Sequence, residues 1–484
     1  MNSSLALLCD FYQLTMAYGY WKSGLATKKA CFHLFFRRPP FKGGFTVACG
    51  LESVKEFIER FHFDASDLLY LESLKNAKGH RYFDADFLHM LSALRLTVTI
   101  DAVEEGRVVF PYEPLVRVEG PLLECQLLES PLLNLINFPT LIATKAARVC
   151  LAAQGDPVME FGLRRAQGID GALTASRAAY VGGCSSTSNV LAGKKFSIPV
   201  QGTHAHSWIM AFESEEQAFK KYAEILPESS IFLVDTYDTI EGVKKAIRVG
   251  KWLQGRGHKL MGVRLDSGDL AYLSIESRRL LDEAGFTDTQ IVASNELDEI
   301  VISELKRQGA KISVWGVGTN LVTGKEQPAL DGVYKLSAIE REDGEWHYTL
   351  KLSEQLAKVS NPGRLQVRRF MHKGLYVGDV IYDVTLGLLK PESNVDPFDP
   401  SKSVPIVDTY VGHDLLVPII QEGRSVYSSP TLSEIRARCT DELKCLPVGM
   451  KRFLNPHVYP VGMDRALYDV KMKLIKKIRK KGKA

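Results

Sequence analysis

Six short apolar runs recur at intervals of a few tens of residues through the middle of this 484-residue chain, and each gives way to polar residues. They are VMEFG (158–162), SIPVQG (197–202), IFLVD (231–235), LMGVRLD (260–266), QIVAS (290–294) and KISVWGVG (311–318). Segments with helical spacing of apolar residues lie between them: Ser214 to Ile225, Thr239 to Gly250, Leu270 to Ala284 and Glu296 to Gln308. Parallel neighbours need a crossover, so this alternation predicts a parallel α/β sheet. Nearly continuous apolar strands predict that both of its faces are covered.

The polar residues that end those runs are chemically rich. Phe161 and Arg164 follow the first, His206 the second, Asp235 and Asp238 the third. Arg264, Asp266 and Asp269 follow the fourth, Asn295 and Glu296 the fifth, and Gly316, Gly318 and Thr319 the sixth. A sheet closed into a TIM-like barrel gathers them at its C-terminal mouth, where barrel enzymes keep their sites. An open doubly wound sheet collects them along one edge. Either way the pattern predicts an enzyme.

Residues 1 to about 115 read as a separate α/β segment. It has a helix from Asp10 to about Lys22, a strand around Ala30 to Arg37, a turn at PPFKGG, and helices around Leu51 to Phe61 and Asp84 to Leu94. We expect an N-terminal α/β domain over 1–115, joined in space by part of 330–400, a barrel over 116–330, and a C-terminal extension over 400–484. No apolar run approaches the roughly 20 residues that cross a bilayer, and Met1 to Asp10 lacks a signal-peptide pattern, so the expected location is cytoplasmic, away from any membrane. The eight cysteines show no metal-finger spacing and read as buried thiols, with no metal site of their own. The net charge is only +4, and eight basic residues fall within Lys471 to Ala484. Such a tail reads as a solvated helix end rather than a nucleic-acid arm.

Three pieces point to an anionic ligand. GVGTN (316–320) after an apolar strand presents backbone N–H groups with no side chain in the way, which suits a phosphate and equally suits a plain βα turn. RLDSGD (264–269) sets a guanidinium and two carboxylates in one turn, able to meet an anion and ribose hydroxyls, or simply to cap a helix. SNEL (294–297) reads as a capping-box-like helix start. His206 alone fits a structural histidine as well as a nucleophile. Asp235, ending the next strand, offers a carboxylate to orient it.

With these motifs in place, the chain resembles the nicotinate phosphoribosyltransferase family over essentially its whole length. DFYQLTMAYGY, FRRPPFKGGFTVACGLE, EFGLRRAQGIDG, SRAAYVGG, TSNVLAG, GTHAHS, LVDTYDT, GVRLDSGDL, SNELDE, GVGTNLVT and DGVYKL follow in the family's order. Cys184 stands where an aromatic residue is expected, and IDG (169–171) where PDG is commoner. The resemblance implies a type II phosphoribosyltransferase: an irregular barrel of fewer than eight strands, acting as a dimer with shared sites. It would join nicotinate to phosphoribosyl pyrophosphate with Mg2+, coupled to ATP hydrolysis, in NAD salvage.

Position by position, the resemblance makes His206 the histidine phosphorylated by ATP and Asp235 the carboxylate that orients it. Phe161 stacks on one face of the pyridine, and Tyr12 comes from the neighbouring subunit to the other. Arg164 and Arg264 face the substrate phosphates and the exocyclic group of the base. Asp266 takes the ribose hydroxyls. Gly316, Gly318 and Thr319 with the Ser294 turn take the 5′-phosphate, and Arg37 or Arg38 reaches the pyrophosphate across the dimer. Ser188 separates the acid-using family from its nicotinamide-using relative, which carries an aspartate there that would repel a carboxylate. A non-catalytic metabolite sensor is the remaining alternative; it has no need of a phosphorylatable histidine.

Overall fold

The computed structural model describes residues 4–353, 355, 359–388, 390–407 and 409–481, so both ends of the chain, including the last three residues of the basic tail, lie outside the described residues. It divides into two compact units, one of Met1–Leu141, Ala329–Thr431 and Arg438–Ala484, the other of Ile142–Pro328 with Leu432–Ala437. Residues 116–141 stay with the first unit because strand Val116–Pro121 pairs with both Lys29–Phe36 and Thr99–Val103. Residues beyond 400 are no separate extension: strand Leu416–Gln421 joins the same sheet beside Thr99–Val103.

The first unit is built on a seven-stranded sheet and a four-stranded sheet. Its first helix, Phe11–Lys22, starts at a capping box in which Asp10 and Gln13 exchange hydrogen bonds, as the opening motif allows. The PPFKGG turn is a short 3-10 segment with Phe41 and Lys42 in left-handed backbone. The basic tail forms helix Arg465–Lys481, but it is not solvated all round. Lys471 is buried, its Nζ donates to Asn361 Oδ1 at 2.8 Å, and burial pushes its ammonium down to about 8.

Helix Glu129–Ala153 corrects the expectation about apolar length. It is long and apolar enough to cross a bilayer by composition, yet 72% of its most apolar window is buried inside the protein. Its apolarity is therefore that of a core helix.

The second unit carries six parallel strands: β1 Val158–Glu160, β2 Ser186–Thr187, β3 Ile231–Leu233, β4 Gly262–Leu265, β5 Gln290–Ala293 and β6 Val314–Val317. Their order is β2-β1-β6-β5-β4-β3, so the first strand pairs with the last and the sheet follows chain order around a ring with a single seam, between β2 and β3. This is the irregular barrel of fewer than eight strands.

The seam falls where SIPVQG was expected as a strand, and the structure corrects that expectation. The segment makes one bridge, Thr187 to Val200, and otherwise runs without a ladder. On its far side a side chain replaces the backbone: Nε2 of buried His204 accepts the N–H of Leu233 on β3, at 3.3 Å. The strand it replaced in the reading is β2, two residues long and too short to register as an apolar run.

Candidate active site

At the C-terminal ends of the strands lies a cavity of about 290 Å³ that brings together Phe161, Arg164, Ser188, His206, Arg264 and Asp266. The aspartates that follow the strands divide cleanly. Asp238, Asp269 and Asp298 are N-caps, each accepting backbone N–H groups of the helix that follows. That leaves Asp235 and Asp266 for other work.

Arg264 is fixed on several sides. Its Nε donates to Ser294 Oγ at 2.9 Å, Nη1 to Thr203 Oγ1 at 2.9 Å, and Nη2 to Asp266 Oδ1 at 2.8 Å. Its guanidinium carbon lies 5.5 Å from the centre of the Phe161 ring. Burial raises the Asp266 carboxyl, but the Ser294 hydroxyl and Arg264 together outweigh it and hold it below the usual carboxylate range. Because Oδ1 is taken by Arg264 and Ser294, Oδ2 is the acceptor left facing the cavity, 3.8 Å from His206 Nε2.

His206 opens a short helix, His206–Met210, and its Nδ1 sits 3.1 Å from Thr236 Oγ1. Asp235 does not hold it. Asp235 Oδ2 instead accepts the Asp266 N–H at 3.0 Å and the Ser267 hydroxyl at 2.6 Å, while Oδ1 is buried without a hydrogen-bond partner. The two donors of the 266–267 turn claim the carboxylate, and the next residue along, Thr236, meets the imidazole.

Gly316 also differs from expectation. It lies within β6, paired with Met159, and a Cβ there would come within 2.7 Å of the Phe161 ring. The missing side chain makes room for the aromatic ring. Gly318 is the N-cap of the four-residue helix Thr319–Val322, with backbone at φ −116, ψ −102.

SNEL is not a helix start. Asn295 and Glu296 adopt positive φ of 95° and 43°, and helix Glu299–Arg307 begins only after Asp298. Asn320 Nδ2 donates to the Glu296 carbonyl at 2.8 Å and holds this strained turn beside Ser294.

Tyr12 and Arg37 belong to the first unit. Tyr12 is 45% exposed on its helix, and Arg37 follows strand Lys29–Phe36 with its Nε buried and without a hydrogen-bond partner. The site residues that sequence reasoning missed are Thr203, His204, Thr236 and Ser267. Three are small hydroxyl residues with no signature outside their fold. The signal for His204 was in plain view, a second histidine in GTHAHS.

Comparison with known proteins agrees along the chain. Residues 7–137 match the model of the nicotinate phosphoribosyltransferase N-terminal domain, 157–359 that of the nicotinate phosphoribosyltransferase family, and 364–471 that of its C-terminal domain. The chain is 45% identical over 483 residues to nicotinate phosphoribosyltransferase of Bacillus subtilis, covering 99% of this chain and 96% of that one. It is 38% identical over 523 residues to the Dictyostelium discoideum protein of the same name, covering 96% and 87%. The crystal structure of human nicotinic acid phosphoribosyltransferase superposes with a TM-score of 0.82 at 31% identity, covering 96% of this chain and 99% of that chain.

Proposed function

The chain belongs to the nicotinate phosphoribosyltransferase family, and on that premise we propose that it joins nicotinate to phosphoribosyl pyrophosphate, giving nicotinate mononucleotide and pyrophosphate. The observation that carries this reading is the single cavity holding an aromatic ring, two arginines, a neutral hydroxyl and an acid beside a histidine.

The pyridine nitrogen attacks the anomeric carbon as its bond to the pyrophosphate oxygen breaks. Positive charge develops on the ribose and negative charge on the leaving group, so catalysis is chiefly positioning and electrostatic. Phe161 forms one wall for the flat base, and Ser188 donates to its carboxylate. Asp266 Oδ2, the uncommitted oxygen, takes a ribose hydroxyl. Arg164, exposed at the cavity and following β1, faces the anionic groups with Arg264. The Ser294 turn with Gly318 and Thr319 takes the 5′-phosphate.

Magnesium enters with the substrates, as the counter-ion of their phosphates. Among the described residues no cluster of three or more His, Cys, Asp or Glu could hold a metal.

ATP hydrolysis is coupled through His206. With Nδ1–H donating to Thr236 Oγ1, the Nε2 lone pair is free to accept a phosphoryl group. The working unit is a homodimer in which Tyr12 of one copy faces the base bound by the other and Arg37 faces its pyrophosphate. Exposed apolar side chains support this: Phe11 beside Tyr12 in the first unit, and Ile169 and Val190 on segments flanking the cavity in the second.

The test is product formation by purified protein with Mg2+ and phosphoribosyl pyrophosphate, offering nicotinate and nicotinamide in parallel, with and without ATP. Nicotinate mononucleotide formed faster with ATP, and little product from the amide, is the expected result. Preference for the amide overturns the Ser188 assignment, and no product from either overturns the reaction.

A further inference from the structure

The cavity's two base-facing walls hang from one buried group. Glu160, the last residue of β1, is 1% exposed, and nothing above assigns it a task. Its Oε1 accepts the N–H of Gly162, the residue after Phe161. Its Oε2 accepts the Thr187 hydroxyl at 2.6 Å and lies 2.9 Å from the Ser176 hydroxyl, which has the Ala172 carbonyl as a second acceptor at 2.9 Å. Its backbone carbonyl accepts the Ser188 N–H at 2.9 Å. Thr187 Oγ1 in turn accepts the Asn189 N–H at 3.0 Å, and Asn189 Nδ2 donates to Ser176 Oγ at 3.2 Å.

We propose that Glu160 is the positioning residue of the base slot, setting the spacing between the Phe161 ring and the Ser188 hydroxyl by tying Gly162, Thr187 and Ser188 to one residue. This deepens the proposed function and rests on the base-binding reading of the cavity. A carboxylate serves both sides at once. Both of its oxygens accept, and they meet donors on opposite sides: a backbone N–H that cannot turn, and two hydroxyls. A glutamine at this position would point an NH2 at one of these sides. With Oε1 kept for Gly162, its NH2 would turn the Thr187 hydroxyl from donor to acceptor and take away its carboxylate partner, while Ser176 keeps the Ala172 carbonyl; turned over, it would meet the Gly162 N–H, donor against donor. Either choice moves one wall relative to the other. The ring wall is tight as well, because the space behind Phe161 is already closed by Gly316 and a Cβ on Gly162 would strike Val322 at 2.2 Å.

The test uses the full chain with Glu160→Gln, Thr187→Val and Thr187→Ser, read three ways: KM for nicotinate against KM for phosphoribosyl pyrophosphate, melting temperature, and amide hydrogen exchange in segments 161–165 and 186–190. We expect Glu160→Gln to raise the nicotinate KM by about tenfold or more and leave the other KM within about threefold, as loss of a buried hydrogen bond to a charged group implies. Thr187→Val moves the same KM in the same direction, Thr187→Ser restores it, and exchange rises in both segments. A nicotinate KM unchanged in Glu160→Gln and Thr187→Val, or both KM values shifting together, overturns the proposal. Should Glu160→Gln fail to fold, the Val and Ser pair at Thr187 decides. If the unaltered protein forms no nucleotide, the reaction assignment falls, and the exchange measurement still decides whether Glu160 holds both walls.

Discussion

Nδ1 of His206 lies 3.1 Å from the hydroxyl of Thr236, the residue that follows the acid expected to hold it. That contact gives an Nδ1–H an acceptor and leaves Nε2 on the side of Asp266, 3.8 Å from its Oδ2.

Thr236→Val therefore weakens ATP coupling. Removing the hydroxyl costs the imidazole one hydrogen bond, so we expect phosphoryl transfer to His206 to slow by about tenfold while nucleotide formation without ATP continues. Single-turnover incorporation of labelled γ-phosphate measures it. If Thr236→Val is silent and Asp235→Asn abolishes labelling, the orienting role returns to Asp235 through its unpartnered oxygen.

Gly316→Ala places a methyl within 2.7 Å of the Phe161 ring. The ring must shift, since the strand backbone carrying the methyl is held on both sides by β1 and β5. Overpacking of this kind costs about 1–3 kcal/mol. The nicotinate KM should rise more than the KM for phosphoribosyl pyrophosphate. Steady-state kinetics with both substrates varied, beside a thermal melt, checks it; a normal nicotinate KM would mean that the ring is not the base's wall.

Ser188→Asp sets a carboxylate against the substrate's own. The repulsion acts in a partly desolvated cavity, so preference should move from nicotinate toward nicotinamide by at least about tenfold in kcat/KM ratio. Competition between the two bases in one assay reads the ratio directly, and an unmoved ratio removes Ser188 from the specificity argument.

His204 ties the barrel seam to pH. Burial pushes its imidazole down to about 4, and the neutral ring, with Nδ1–H toward the Ala205 carbonyl, offers Nε2 to Leu233. A folded-state value below the unfolded one means that the unfolded chain binds the proton first. The stabilisation is thus complete above about 6.5, the ordinary histidine value, and is lost as pH falls toward 4. The loss amounts to about 3 kcal/mol at the acid end. His204→Gln, whose Oε1 can accept the same N–H, should flatten this part of the stability profile, and His204→Leu should destabilise at neutral pH. Denaturant unfolding between pH 4 and 7.5 checks both; parallel profiles for the original protein and His204→Gln would show that the acid loss arises elsewhere.

Much of this molecule was legible before folding. The alternation from residue 158 to 318 gave the parallel strands and their helices, since side-chain burial imposes its period on neighbours along the chain. Asp10 gave the first helix start for the same local reason. Six of the site residues read from the sequence do share one cavity, because strand ends of a parallel barrel converge whatever the loops contain. What the chain could not reveal is who binds whom. Asp235 was an apt partner for His206 by residue type, and lost it to Thr236 because two donors of the 266–267 turn lie closer to its carboxylate. Gly316 matched a phosphate turn by composition, and the room it leaves for the Phe161 ring could not be read there. SIPVQG has strand composition but sits at the seam, where the His204 side chain, not the backbone, accepts the Leu233 N–H. Periodicity is a property of neighbours in sequence, so the sequence by itself determined the architecture and the place of the site. Hydrogen-bond partners turn on differences of an ångström between segments dozens of residues apart, and only the packed barrel decides those.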